Sequence, residues 1–366
     1  MDKSKVVIPE RFQDHPLFNE LICGTNFGFM ARRGYYARPE SLRQPELMRK
    51  MGINWTTINM NFCQTNYFSD KVFLDFEFST GEIELMEIVK RLHDNGVRVL
   101  FKPCLTSLDG AWMGLVSFPE DGLMSQIQGV KTHYWETWGR SFLEAAKYFA
   151  DLASRIGVDA LIIGAEYEGT EGQETLWRTV IQEVRARFTG PIIYEFTPGS
   201  RKKYALNWFE ELDFLSYSYY PPGVPATEDM VCSIEAIRGT PDYTVEQIAA
   251  HLATRGPKIQ SIAERYGNKP IVFTEFGVRS AHGCIMRPEN FLWDTPYDGQ
   301  QQANYMEAAF RTFWDLPSWM GFFWWKWDET QDRPHYAGDP RGDRGFTIQG
   351  KPAEEVLRRW AHKGVR

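Results

Sequence analysis

A chain of 366 residues that is 43% apolar and 15% aromatic can bury a large core, and its length suits one barrel domain with long loops. A formal net charge of −7 with no basic cluster argues against a nucleic-acid partner. No apolar run approaches the roughly 18 residues of a membrane span, and five scattered Cys without C-x-x-C spacing read as reduced thiols, neither a zinc site nor a disulfide framework.

The opening stretch, MDKSKVVIPERFQDHPLF, lacks an apolar segment long enough for a signal peptide, which predicts a cytoplasmic enzyme, or a secreted one if an export signal has been removed. From there short β-rich runs alternate with longer amphipathic ones. A strand at 23–29 precedes a helix at 40–51, and a strand at 55–60 precedes a helix at 82–95. In IELMEIVKRL the apolar positions recur every three to four residues, the helical period, and Gly96 stands where a helix stop belongs. A strand at 97–103 leads through a long loop, 106–131, to a helix at 134–155. Strands at 160–164 and 191–196 are followed by helices at 174–188 and 208–212. A strand at 214–219, a long segment at 221–242 and a helix at 245–266 come next. Strands at 271–276 and 321–327, with helices at 300–314 and 353–360, complete the chain.

Eight strand–helix units predict a (β/α)₈ TIM barrel, an α/β fold, with residues 1–366 forming a single domain. A doubly wound sheet would normally carry a Gly-rich turn after its first strand, and no G-x-G-x-x-G occurs. In such a barrel the reacting groups stand at the C-terminal strand ends, and long βα loops such as 106–131 and 221–242 build the site.

Two strand ends carry a carboxylate where apolar residues would serve the core better. The fourth strand ends LIIGAEYEG, placing Glu166 just past the last apolar residue, with Glu168 two further on. The seventh ends PIVFTEFG, placing Glu275 inside an apolar run, where burial without a partner is costly. Each Glu could instead pair with a neighbouring cation and serve only the barrel. Together they suit glycosidic cleavage, in which one acid protonates the leaving oxygen and the other attacks the anomeric carbon. Glu195, ending the fifth strand, reads as a supporting residue.

Around this pair, Lys102 at the end of the third strand is a candidate substrate contact, as are Asp109 and Trp112 in the loop beyond. In the eighth strand, GFFWWKWDE, alternation puts Trp325 and Trp327 on one face, where a Trp can stack on a sugar ring, and Trp324 with Lys326 on the other. Tyr219, in SYSYYPP, is placed to donate to a carboxylate on the seventh strand. Seven His without H-x-H or H-E-x-x-H spacing, no G-x-S-x-G elbow and no P-loop leave metal, serine and phosphoryl chemistry unsupported. His282 and His335 read as loop residues, and Asp328, Glu329 and the acids of 339–343 as solvated. No cofactor and no metal are therefore expected.

Glu on the fourth and seventh strands is the arrangement of the clan A glycoside hydrolases, and the chain more specifically resembles glycoside hydrolase family 113, the β-mannanases. The marks are GTNFGFMARRGYY, FKPCLTSLDGAW, IGAEYEGTE, YSYYP, FTEFGVRSAHGC and GFFWWKWD, in that order over nearly the whole chain. Most of clan A has Asn directly before the acid/base, whereas this chain has Ala165, a departure that points to the narrower family. The resemblance implies Glu166 as acid/base, Glu275 as nucleophile, Tyr219 as its support and the eighth-strand Trp residues at the cleaved sugar. It also implies retaining cleavage of β-1,4-mannosidic linkages in an oligosaccharide or polysaccharide. Two other readings stay open: a retaining exo-β-glycosidase acting on another β-hexoside, and a non-catalytic carbohydrate-binding barrel. Oligomeric state and the choice between endo and exo action are not legible at this stage.

Overall fold

The structure, a computed structural model, describes residues 6–124, 129–197, 206–327 and 344–363. Eight parallel strands close into a barrel in chain order: β1 (Ile22–Phe27), β2 (Trp55–Gln64), β3 (Arg98–Ser107), β4 (Ala160–Ala165), β5 (Ile192–Phe196), β6 (Leu215–Ser218), β7 (Ile271–Phe276) and β8 (Trp319–Trp327). The principal helices are α1 (Gln44–Met51), α2 (Glu82–Asp94), α3 (Tyr134–Ile156), α4 (Glu174–Arg185), α5 (Val245–Ala253), α6 (Gly256–Arg265), α7 (Gly299–Phe313) and α8 (Pro352–Lys363). Between β5 and β6 the described crossover is only a 3₁₀ turn, Asn207–Glu211. The helix expected over 245–266 is split at Thr254–Arg255, because Pro257 in the first turn of α6 has no N–H with which to continue α5.

Two apolar layers follow from strand alternation. Ile22, Trp55, Leu100, Ile162, Ile193, Val272 and Phe323 point into the barrel, where Phe12, Leu17 and Phe18 of the N-terminal segment pack with them. The opposite faces pack against the helices through such residues as Ile58, Phe101, Leu161, Tyr194 and Phe273. Toward the C-terminal ends the interior turns polar: Asn26 donates to the Thr274 carbonyl (3.0 Å), Thr57 to Asn26 (2.8 Å), and Ser216 meets Thr274 (2.6 Å). None of the five cysteines is in a disulfide, and four of them are buried.

Three strands depart from simple pairing toward their C-terminal ends, and β8 does so at its start as well, where Trp319 and Gly321 pair with the consecutive Ile271 and Val272. Ile162 and Ala165 of β4 pair with Ile193 and Glu195, three steps against two. Phe273 and Glu275 of β7 pair with the consecutive Tyr217 and Ser218. Trp324 and Trp327 of β8 pair with Thr25 and Phe27. An extra residue in one strand is a bulge, which turns the side chains beyond it by one place. These bulges deliver Glu166, Glu275 and Trp325 to the barrel mouth.

Candidate active site

Glu275 lies at the bulge of β7, so that Thr274 and Glu275 both turn inward while Phe273 and Phe276 pack outward. Its carboxylate accepts from Lys102 Nζ through Oε1 (2.5 Å) and from Tyr220 OH through Oε2 (2.9 Å), with Ser218 Oγ at 3.4 Å from Oε2. Lys102, on the inward face of β3 with Leu100, also donates to Glu195 Oε1 at 2.8 Å. Burial opposes the Lys102 ammonium, yet Glu195 and Glu275 together hold it well above the usual lysine range. Burial pushes the Glu195 carboxyl up to about 7 despite that ammonium.

Glu166 follows β4 directly and has left-handed backbone, φ 60°, with its N–H bonded to the Glu195 carbonyl at 2.8 Å. Such a conformation is uncommon for a residue with a side chain and recurs at active sites. Trp112 Nε1 donates to Glu166 Oε2 (3.0 Å), and Thr197 Oγ1 lies 3.4 Å from Oε1. Burial, and after it the charge of Glu275, raises the Glu166 carboxyl above the ordinary glutamate range. Of two nearby carboxyls, the raised one without a cation in contact is thus the better proton reservoir, while the other is clasped by an ammonium and a phenol.

Both carboxyls line the same hollow. Its larger lobe, about 850 Å³, is bordered by Trp112, Tyr220, Pro222, Phe291, Trp325 and Lys326. A smaller lobe of about 210 Å³ lies beside it, with Lys102, Cys104, Glu195 and Gly110 in its wall. Glu166 and Glu275 face both lobes. A separate groove of about 400 Å³ beside α3 has Glu144 as its single acid and so lacks a carboxylate pair.

The sequence-derived candidates meet different fates. Lys102, Trp112 and Trp325 stand at this hollow, with the Trp325 ring 4.6 Å from Phe29 and 5.9 Å from Lys102 Nζ. Lys102 is held first of all by its two carboxylate partners. Tyr219 does not place its hydroxyl on Glu275: its ring packs outward on Phe273 (4.8 Å), and only its backbone N–H reaches the Glu275 carbonyl. Tyr220 makes the side-chain contact instead. The signal was available, since Ser216, Ser218 and Tyr220 share one face by alternation.

Trp327 is a second correction. The β8 bulge moves it to the outer face with Trp324, fully buried, its indole donating to Gln44 Oε1 at 3.0 Å. Asp109 lines neither lobe; its exposed carboxylate accepts the Ala111 N–H, which holds it below the usual aspartate range. Glu168, in a 3₁₀ turn, also lines neither lobe. His282 is bonded to Thr240 away from the hollow, and with Asp242 and Asp298 it forms the one group among the described residues whose donor atoms are close enough to hold an ion. Asp298 Oδ1 in that group caps α7. His335, Asp328, Glu329 and the acids of 339–343 lie outside the described residues.

The model of Glycoside Hydrolase Family 113 matches residues 25–351. This chain belongs to glycoside hydrolase family 113. Among solved structures, the family 113 β-mannanase AaManA from Alicyclobacillus acidocaldarius, in complex with ManMIm, superposes with a TM-score of 0.77 at 23% identity, covering 95% of this chain and 99% of that one. A complex of a family 113 β-1,4-mannanase gives 0.74 at 21% identity over 93% and 99% of the two chains. A family 5 mannosidase from Rhizomucor miehei gives 0.55 at 12% identity over 93% and 92%. A search of curated proteins finds no match. The protein is accordingly a glycoside hydrolase on a (β/α)₈ barrel, and a carbohydrate is its substrate class. No helix among the described residues is long and apolar enough to cross a membrane.

Proposed function

We propose that this glycoside hydrolase cleaves β-1,4-mannosidic linkages with retention, Glu275 acting as nucleophile and Glu166 as acid/base. The observation that carries the reading is the unequal surroundings of two carboxyls facing one hollow. Glu275 accepts from an ammonium and a phenol. Glu166 meets an indole N–H and a hydroxyl, and its carboxyl is raised. A nucleophile must be ionised and a general acid must hold its proton, and these surroundings favour that division. The mannosidic linkage is supported by the β-mannanases that the chain resembles. A panel of aryl β-glycosides tests it: the β-mannoside is expected to be turned over fastest, and a preference for a β-glucoside or β-galactoside would overturn the sugar assignment.

Both carboxyls line two lobes, of about 850 and 210 Å³, and we read that room as suited to cleavage within a chain over removal of single terminal sugars. Mannohexaose should therefore yield a mixture of shorter oligosaccharides from the first time points; steady release of mannose alone would instead make the enzyme exo-acting.

Two tryptophans only two residues apart should respond differently. Trp325→Ala is expected to raise KM more than it lowers kcat, because a ring stacked on sugar contributes mainly ground-state binding. An unchanged KM would return Trp325 to a packing role. Trp327→Ala removes a buried indole and its bond to Gln44, and is expected to cost about 3–5 kcal/mol of stability with KM unchanged in the folded fraction. Thermal denaturation together with steady-state kinetics separates the two.

A further inference from the structure

Glu195 and Lys102 form a buried pair whose location exceeds what packing requires. The Lys102 side chain is 3% exposed and that of Glu195 not at all. Among the described residues, Lys102 is the single hydrogen-bond partner of the Glu195 carboxyl, whose Oε2 is buried without one. Replacing such a pair by apolar residues of similar volume is often neutral or stabilising, so its presence is weak evidence for a stability role. Its geometry is informative: Lys102 Nζ bridges Glu195 on β5 and Glu275 on β7, with 2.8 Å on one side and 2.5 Å on the other.

We propose that Glu195 and Lys102 are positioning residues forming a charge-balancing pair, in which Lys102 keeps Glu275 ionised in the free enzyme and Glu195 keeps Lys102 compensated once that charge is consumed. This rests on the retaining mechanism proposed above. In its first step a Glu275 carboxylate oxygen forms the bond to the anomeric carbon. The bond from that carbon to the leaving oxygen breaks, its electron pair stays on the leaving oxygen, and that oxygen takes the proton of Glu166. Glu275 is then a neutral ester. Without Glu195 the Lys102 ammonium would be buried with no counter-charge, a costly state. With Glu195 it keeps a partner through both halves of the cycle, while its hold on Glu275 is shared and the nucleophile is not over-stabilised.

The groups bonded to the Glu275 carboxylate are Lys102 from β3 and Ser218 and Tyr220 at the end of β6. Cys104 from β3, Glu166 after β4, Glu195 from β5 and Trp325 from β8 line the hollow with it, as do the charged Arg255, Arg287, Glu289 and Lys326 of the larger lobe. Of the groups bonded to that carboxylate only Lys102 is cationic, so its removal leaves Glu275 with two hydroxyl partners, whereas removing the charge of Glu195 leaves the ammonium wholly to Glu275.

The test is a ¹³C NMR titration of labelled Glu carboxyls in wild type, Lys102→Met and Glu195→Gln, with the Glu275 signal assigned by its loss in Glu275→Gln. The pH profile of kcat/KM on an aryl β-mannoside is measured alongside. Glu275 should titrate higher in Lys102→Met and lower in Glu195→Gln, by about one unit or more in each case. The acid limb of kcat/KM should move in the same directions, and Lys102→Arg should return it toward wild type. Trapping by a 2-deoxy-2-fluoro-β-mannosyl fluoride should be about tenfold slower or more in Glu195→Gln, since ester formation then strands the ammonium. Should Lys102→Met fail to fold, the isosteric Glu195→Gln carries the test with the downward shift and slower trapping. Unmoved titrations and limbs, with activity falling only in step with melting temperature, would overturn the proposal. Shifted titrations in a protein that turns over no β-hexoside would support the charge pair and sink the proposed activity instead.

Discussion

Glu275→Ala is expected to lower kcat/KM on manno-oligosaccharides by about 10⁴-fold or more, roughly 5 kcal/mol of transition-state stabilisation. The size follows from the loss of the attacking atom itself, since nothing else among the described residues presents a carboxyl clasped by an ammonium and a phenol at this hollow. The fold should survive the change, because Lys102 keeps its 2.8 Å contact with Glu195 and is not left as an uncompensated buried charge. A melting temperature close to wild type would separate lost chemistry from lost structure. Added azide should restore part of the rate on an activated substrate and give the α-mannosyl azide, because it attacks once from the face that the carboxylate vacated. Wild-type rates in Glu275→Ala would remove the nucleophile from the mechanism.

Glu166→Ala should act selectively. With substrates that need a proton on the leaving oxygen, loss of general acid catalysis is expected to cost about 10²–10⁴-fold. Activated aryl glycosides, whose leaving groups depart unprotonated, should lose far less in the first step, and azide should here give the β-mannosyl azide by intercepting the covalent intermediate. The pH profile gives a second readout. The Glu166 carboxyl is raised by burial and by Glu275, so it keeps its proton to higher pH than an ordinary glutamate. Activity that depends on that proton is present below the raised value and is lost as pH climbs through it. The basic limb of kcat/KM should therefore disappear in Glu166→Ala, and a limb that stayed in place would assign it to another group.

Much of this was legible in the sequence, for reasons that also mark where legibility ends. The eight strands announce themselves as apolar β-rich runs between amphipathic stretches, and Glu166 and Glu275 stand out because a carboxylate in such a run has no reason to be there unless something meets it. Lys102 and Glu195 were visible as strand-end charges, but only the closed barrel brings β3, β5 and β7 around one point and turns three separate residues into a bridge. Trp327 was misplaced because alternation assumes an unbroken strand, while the residue added in β8 carries Trp327 to the outer face beside Trp324. No local pattern in GFFWWKW marks that bulge. Tyr219 and Tyr220 are a different case: the strand period, carried on from Ser216, puts the second tyrosine inward, and the closer neighbour in sequence was the wrong choice. Asp109 illustrates how a polar loop residue can serve only its own turn.

The central claim is double displacement by Glu275 and Glu166, and the configuration of the first-formed product tests it most directly. Mannohexaose incubated with the enzyme and followed by ¹H NMR from the first seconds should show new reducing ends as the β-anomer, with the α-anomer growing in only by mutarotation. The same substrate with Glu275→Ala should show neither. New reducing ends appearing first as the α-anomer would mean a single displacement by water, and would contradict the nucleophile role assigned to Glu275.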